Sequence, residues 1–298
     1  AHVAPMTCGL PLKNADGSPL TTTQRRPLAT DRVRHVGDPV AFVVARNGEP
    51  LDAQALRSSE DAFVDDLFLH GVACGAPLIA ARAPRAYIDL NRAADELDPA
   101  VIDGIERAPH NPRVTSGLGV IPRVVAGGRN IYRGKLSLPE AEQRITRLWH
   151  PYHRALRQLM EESHARFGRA VLIDCHSMPH EAIEAHARPG HPRPDVVLGD
   201  RFGAAAGREV VERLEAAFAA AGLRVVRNSP FAGAYIAQAY GRPSRGFHVV
   251  QVEIDRALYM DEARVEKRAD FDAFRALMAG VIDEVTAGFS SGLALAAE

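Results

Sequence analysis

Residues 172–180 read LIDCHSMPH, and the reading of this stretch decides the fold. Val171, Leu172 and Ile173 run straight into Asp174, Cys175 and His176, and Met178-Pro179 then breaks the run. A short apolar run closed by a proline reads as a buried strand. Its end carries an acid, a thiol and an imidazole. Either a strand end meets a polar turn, or a metal or catalytic site stands at the carboxyl edge of a sheet, where open α/β folds place their ligands.

Further strand-like runs flank it: VAFVVA (40–45), APLIAA (76–81), GLRVVR (222–227) and FHVVQVEI (247–254). In the last, Val249, Gln251 and Glu253 share one face at period two. Helical patterns fill the intervals. SSEDAFVDDLFLHGV (58–72) has acids at its first turn. SLPEAEQRITRLWHPYHRALRQLMEESHARFG (137–168) opens with a capping-box pattern at Ser137 and Glu140, should kink at Pro151, and closes at Gly168. Residues 200–222 and 268–289 read as two more helices. Alternating strands and helices predict a layered α/β domain. The Gly-, Pro- and Arg-rich stretch 109–136 lacks periodicity and reads as a loop covering an active site.

The chain has 298 residues, 46% hydrophobic and 24% charged, with a net charge of −1. That balance predicts no nucleic-acid partner, since no basic excess drives counterion release. No apolar run approaches the roughly 18 residues of a membrane span, and no charged-then-apolar leader opens the sequence. Three scattered cysteines, Cys8, Cys74 and Cys175, suit a reducing cytoplasm. Twelve histidines keep a metal site in view.

Several side chains have chemistry to offer. Asp174 shares a strand face with His176 and can orient its imidazole, while Cys175 points the other way, as a small buried residue would. Glu60 and Asp61 either oppose a helix dipole or provide a carboxylate ligand. Asn91-Arg92 suits either a surface turn or carboxylate recognition. Glu253 lies in an apolar strand, where a carboxylate must be paired or catalytic. Arg245 is a candidate partner for it or a substrate clamp. His150 and His153 fall one helical turn apart and could bind a metal, but Pro151 between them and the neighbouring Trp149 and Tyr152 favour packing or the support of a metal ligand. His180, His186 and His191 read as residues of a polar loop.

Taken together, RSSEDAFVDDLF, APRAYIDLNRAADELDP, PHNPRVTSGLGVIPRVVAGGRNIYRGKLSLPEAE, WHPYHRAL, LIDCHSMP, DVVLGDRFG, NSPFAGAYIAQAYGRP and GFHVVQVEIDRALYMDE resemble, in order and spacing, the N-formylglutamate amidohydrolase (deformylase) family. The likeness covers about residues 49–290. It implies a three-layer α/β/α domain with a mixed central sheet, related to the zinc carboxypeptidases and aspartoacylases. It further implies one zinc ion, held by His176 and by Asp61 with Glu60 as its substitute. Glu253 would be the general base and Asn91-Arg92 the carboxylate-binding pair, with Arg92 also near the reacting atoms. Arg123, Arg133 and Arg245 would add positive charge for a small anionic N-acyl amino acid. The products would be formate and glutamate, made by a cytoplasmic monomer or small homo-oligomer.

Residues 1–48 depart from this pattern and stand apart as a first segment, with 49–298 as the second. The family's Ser-Pro-His-Ser-Gly motif, whose histidine resembles another zinc ligand, is absent. The stretch instead resembles part of the hammerhead domain of molybdenum hydroxylase large subunits, as in a fusion. His35, 26 positions before Asp61, is the candidate to replace the missing ligand. If nothing replaces it, the resemblance implies a catalytically dead member or a binding domain.

Overall fold

The computed structural model describes residues 53–105, 111–184 and 193–294. The run at 40–45 and His35 lie outside them. Short helices come first: α1 (Ala53–Arg57), α2 (Val64–Phe68), α3 (His70–Ala73) and α4 (Pro112–Thr115). Helices α5 (Leu138–Arg144) and α6 (His150–Phe167) lead into strand β1 (Ala170–Met178) and α7 (His180–Glu184). Then follow β2 (Val196–Gly199), α8 (Arg208–Ala220), β3 (Val225–Arg227), α9 (Tyr235–Tyr240) and β4 (Phe247–Asp255). A hairpin of β5 (Met260–Asp261) and β6 (Glu266–Lys267) precedes α10 (Phe271–Ala294).

The main sheet has the order β1-β4-β2-β3. β4 runs parallel to β1 and antiparallel to β2, and β2 runs parallel to β3, so the sheet is mixed. Successive side chains of β4 point to opposite faces. Val250, Val252 and Ile254 pack with Leu214 and Phe218 of α8 and with Met278 and Val281 of α10. Val249 packs on the other face with Leu156 and Met160 of α6 and Ile236 of α9. Helices therefore cover both faces, as the alternation of strands and helices predicts.

Four local expectations change, one being the helix expected over 200–222, which begins only at Arg208 after a run of turns. The apolar run 76–81 forms no strand. Gly75 has φ of 84°, and Pro77 and Pro84 lack the N–H groups a ladder needs. The helix expected over 58–72 is broken, because Phe63 adopts a left-handed φ of 65° and α2 starts only at Val64. Asp61 is thereby left off the helix. The capping box at Ser137 does not form, since Glu140 accepts from Arg144 Nη2 instead. Strand β2 was not legible as a strand, being only four residues long.

Pro151 disturbs its helix as expected. The turn before it, Ile145–Trp149, widens to π geometry, which relieves the ring's contact with the preceding turn. Gly168 closes α6 with φ of 70°. From this wide turn Trp149 Nε1 donates to the Arg92 carbonyl at 2.9 Å. One helical turn on, His153 Nε2 lies 2.9 Å from the Leu90 carbonyl, and the Trp149 and His153 rings meet at a tilt of 35° with centroids 4.0 Å apart. The packing role favoured for His153 is the one it has.

Phe218 is 1% exposed beneath the sheet, so Phe218→Ala should cost about 3–5 kcal/mol in urea-induced unfolding. Burial pushes His153 down to about 4. A histidine depressed on folding contributes stability that is complete above its ordinary value of about 6.5 and fades as pH falls towards 4. Wild-type stability should therefore drop by about 3 kcal/mol across that window relative to His153→Gln, measured as urea midpoints against pH.

Candidate active site

β1 and β4 are parallel, so their carboxyl ends meet at one edge of the sheet. Their register sets His176 beside Glu253 and Asp174 beside Gln251. All four side chains belong to the polar face, opposite the α8–α10 core. Cys175 points to that core, and burial pushes its thiol up, away from a reactive thiolate.

Asp61 reaches this edge because the chain at Phe63 turns off the helix. Its Oδ2 stands 2.9 Å from His176 Nδ1, and its Oδ1 accepts from the Ser177 amide and hydroxyl at 2.8 and 3.1 Å. On the other side of the ring, His176 Nε2 is 3.0 Å from Asp174 Oδ1. Asp174 thus takes the orienting position expected of it. Asp61, and not Glu60, is the carboxylate at the imidazole: the Glu60 side chain accepts from Arg57 Nε at 3.2 Å.

Two arginines that sequence reasoning missed hold Asp61 in place. Arg85 Nη1 donates to Asp61 Oδ2 at 3.1 Å, and its Nε donates to Asp89 Oδ2 at 3.1 Å. Arg256 Nε donates to Ser177 Oγ at 3.1 Å, while its Nη1 and Nη2 donate to the carbonyls of Ser58 and Glu60. It ties the segment carrying Asp61 to the ends of both strands. The signals were faint: Arg85 stands four residues before Asp89, and Arg256 directly follows the QVEID run.

The buried charges shift one another strongly. Burial alone would raise the Asp61 carboxyl, but Arg85 and His176 outweigh it and hold it well below the usual carboxylate range. Burial works against an imidazolium at His176, yet Asp174 and Asp61 raise it well above its ordinary value. Among the described residues Glu253 accepts one bond, from Gln251 Nε2 at 2.7 Å. Burial pushes it up to about 7, against the pull of His176. Two carboxyls facing one imidazole are thus driven apart, the separation that assigns an acid-base role to one of them.

A cavity of about 420 Å³ opens on His176 and Glu253 and is walled by Arg85, Arg92, Arg113 and Arg256. The Leu118 and Val124–Ala126 parts of the Gly-rich stretch also line it, as expected of a covering loop. Asn91 and Arg92 divide their work. Asn91 Nδ2 donates to Asp174 Oδ2 at 3.0 Å and abuts His176 Nε2, while its Oδ1 accepts from the Ile236 amide, so it positions the imidazole. Arg92 donates through Nε to the Leu118 carbonyl and through Nη1 to the Asn91 carbonyl, leaving Nη2 without a partner among the described residues.

Three other expected cations are elsewhere. Arg123 pairs with Asp98 at 2.9 Å and donates to the Thr115 carbonyl, so it braces the covering loop from outside the cavity. Arg133 is exposed and is not part of the cavity wall. Arg245 lies in the turn before β4, at the opposite end of that strand from Glu253, because the parallel pairing places the site at the strand's carboxyl end. His180 opens helix α7 instead of lying in a loop, and its Nδ1 lies 2.8 Å from Asp255 Oδ2. His186 and His191 lie outside the described residues.

His176 and Asp61 have the chemistry of a metal-ligand pair: a nitrogen and a carboxylate oxygen converge, and the second ring nitrogen faces another carboxylate. Among the described residues no third His, Cys or carboxylate donor joins the two within 4.8 Å. No helix among them is long and apolar enough to cross a membrane.

Comparison with known proteins identifies the family of the chain. Residues 32–260 match the model of the N-formylglutamate amidohydrolase family. The chain is 34% identical over 242 residues to the N-formylglutamate deformylase of Pseudomonas aeruginosa, covering 79% of this chain and 84% of that one. It is 31% identical over 221 residues to the N-formylglutamate deformylase of Pseudomonas putida, covering 73% and 76%. A crystal structure of N-formylglutamate amidohydrolase from Ralstonia eutropha superposes with a TM-score of 0.76 at 33% identity, over 81% of this chain and 88% of that one. The match begins inside the segment set apart at 1–48, and these comparisons do not support the molybdenum hydroxylase resemblance. With the family's model spanning most of its length and two curated relatives above 30% identity, the chain belongs to the N-formylglutamate amidohydrolase family.

Proposed function

We propose that this chain hydrolyses N-formyl-L-glutamate, or a close N-acyl amino acid, releasing formate and L-glutamate from the formyl substrate. The observation that carries this reading is that His176, paired with Asp61 and next to Glu253 in the strand register, opens with Glu253 on one cavity walled by four arginines. One zinc ion is proposed, with His176 Nδ1 and Asp61 as ligands and Asp174 as the acceptor that orients the ring. When bound, zinc supplies a lowered pKa for water and polarisation of the formyl carbonyl.

The protein's own groups carry the rest. Glu253, pushed up to about 7, is matched to proton transfer near neutral pH. It takes a proton from the attacking water and passes it to the nitrogen of the breaking amide bond, so glutamate leaves as an amine. Arg92 Nη2 points its remaining donors at a substrate carboxylate. Arg85 keeps Asp61 ionised, and Asn91 keeps the imidazole aimed. The mixed sheet with helices on both faces also suits the three-layer architecture of the zinc carboxypeptidases and aspartoacylases, which we propose as its fold class.

A metal-free, inactive reading has one observation behind it: only two donors converge among the described residues. Zinc content decides between the two. We expect about one zinc per chain, formate release from N-formyl-L-glutamate, and its loss on chelation. Glu253→Gln should keep the zinc and lower kcat by about 10²–10⁴-fold, whereas Asp61→Asn should lose the zinc. Protein that melts cooperatively yet holds no zinc and releases no formate would sink the proposal.

A further inference from the structure

The cavity wall carries four arginines and the carboxyl groups of Asp89 and Glu253, with Asp89 3.7 Å from Arg92 Nε as well as bonded to Arg85. Of its four arginines, Arg85 is committed to Asp61 and Asp89, and Arg256 to Ser177 and two carbonyls. Arg92 keeps one amino group open. Arg113 differs from all three, because its guanidinium makes no hydrogen bond or ion pair among the described residues although it lines the same space. Its backbone is firmly held: the Asn111 side chain caps α4 by accepting from the Arg113 amide at 3.0 Å, and the Arg113 carbonyl accepts from Leu118 N at 2.8 Å. Arg113 is exposed, so an anchored backbone presents a solvent-accessible guanidinium, free of protein partners among the described residues, to a cavity beside a second arginine, an arrangement suited to an anion.

Resting on the proposed hydrolysis, we infer that Arg113 binds the side-chain carboxylate of the substrate and makes the cavity selective for N-acylated dicarboxylic amino acids. The α-carboxylate lies nearest the amide that breaks, which suits Arg92, next in sequence to the Asn91 that aims His176. The side-chain carboxylate lies further along the substrate and falls to the α4 segment. The charge of Arg113 already acts against that of Arg92, and a dianion between them relieves the opposition.

The test compares kcat/KM for N-formyl-L-glutamate and its neutral analogue N-formyl-L-glutamine in wild type, Arg113→Met and Arg113→Lys. Wild type should prefer the glutamate derivative. Arg113→Met should reduce that preference about ten- to a hundredfold, chiefly through KM, and Arg113→Lys should retain much of it. An undiminished preference in Arg113→Met, or equal losses on both substrates, overturns the assignment. Should wild type hydrolyse neither substrate, the proposed hydrolysis fails. Arg113 is then judged by calorimetric binding of L-glutamate against L-glutamine: weaker glutamate binding in Arg113→Met supports its role, and unchanged binding refutes it.

Discussion

The parallel pairing of β1 with β4 is the constraint on which the rest depends. Because both strands run the same way, their carboxyl ends share an edge, and the register sets His176 next to Glu253. Strand alternation then separates two populations: Val250, Val252 and Ile254 go to the α8–α10 core, while Gln251 and Glu253 go to the polar face. A slip of one residue would bury the carboxylate in the core and turn apolar side chains into the site. The hydrophobic contrast between the faces therefore fixes the position of the chemistry.

Such a site gathers seven charged groups: Asp89, Asp174, Glu253 and Arg256 are buried, and Asp61, Arg85 and His176 half-buried. Unpaired, each would be costly. The structure meets that cost with a chain of pairs: Asp89 with Arg85, Arg85 with Asp61, Asp61 with His176, and His176 with Asp174. Glu253 stands at the end of the chain with an amide for its bond, and there burial prevails and its carboxyl rises. One low-dielectric environment thus produces opposite shifts in two carboxyls, because among the described residues one has cationic partners at hydrogen-bond distance and the other has an amide.

Irregular backbone brings the remaining groups to the sheet edge. The left-handed residue Phe63 releases Asp61 from helix α2, and the wide turn before Pro151 aims Trp149 at the segment that carries Asn91 and Arg92. His153 supports the same segment one turn later. The positioning of Asn91 thus depends on packing by a helix far from it in sequence, and only the folded chain shows the connection.

The sequence alone determined the strand–helix alternation, the strand end at His176, the face shared by Gln251 and Glu253, and the breaks at Pro151 and Gly168. These follow from local rules: period-two burial, the missing N–H of proline and the freedom of glycine at positive φ. Tertiary structure decided the rest. It set Asp61, and not Glu60, beside His176, put Asn91 against Asp174 and His176, and placed Arg123, Arg133 and Arg245 away from the cavity wall. It also recruited Arg85, Arg113 and Arg256. A charged side chain looks the same in sequence whether it braces a loop, pairs a buried carboxylate or faces a cavity. Its role is set by which opposite charge the fold places within reach, and that depends on contacts between residues distant along the chain.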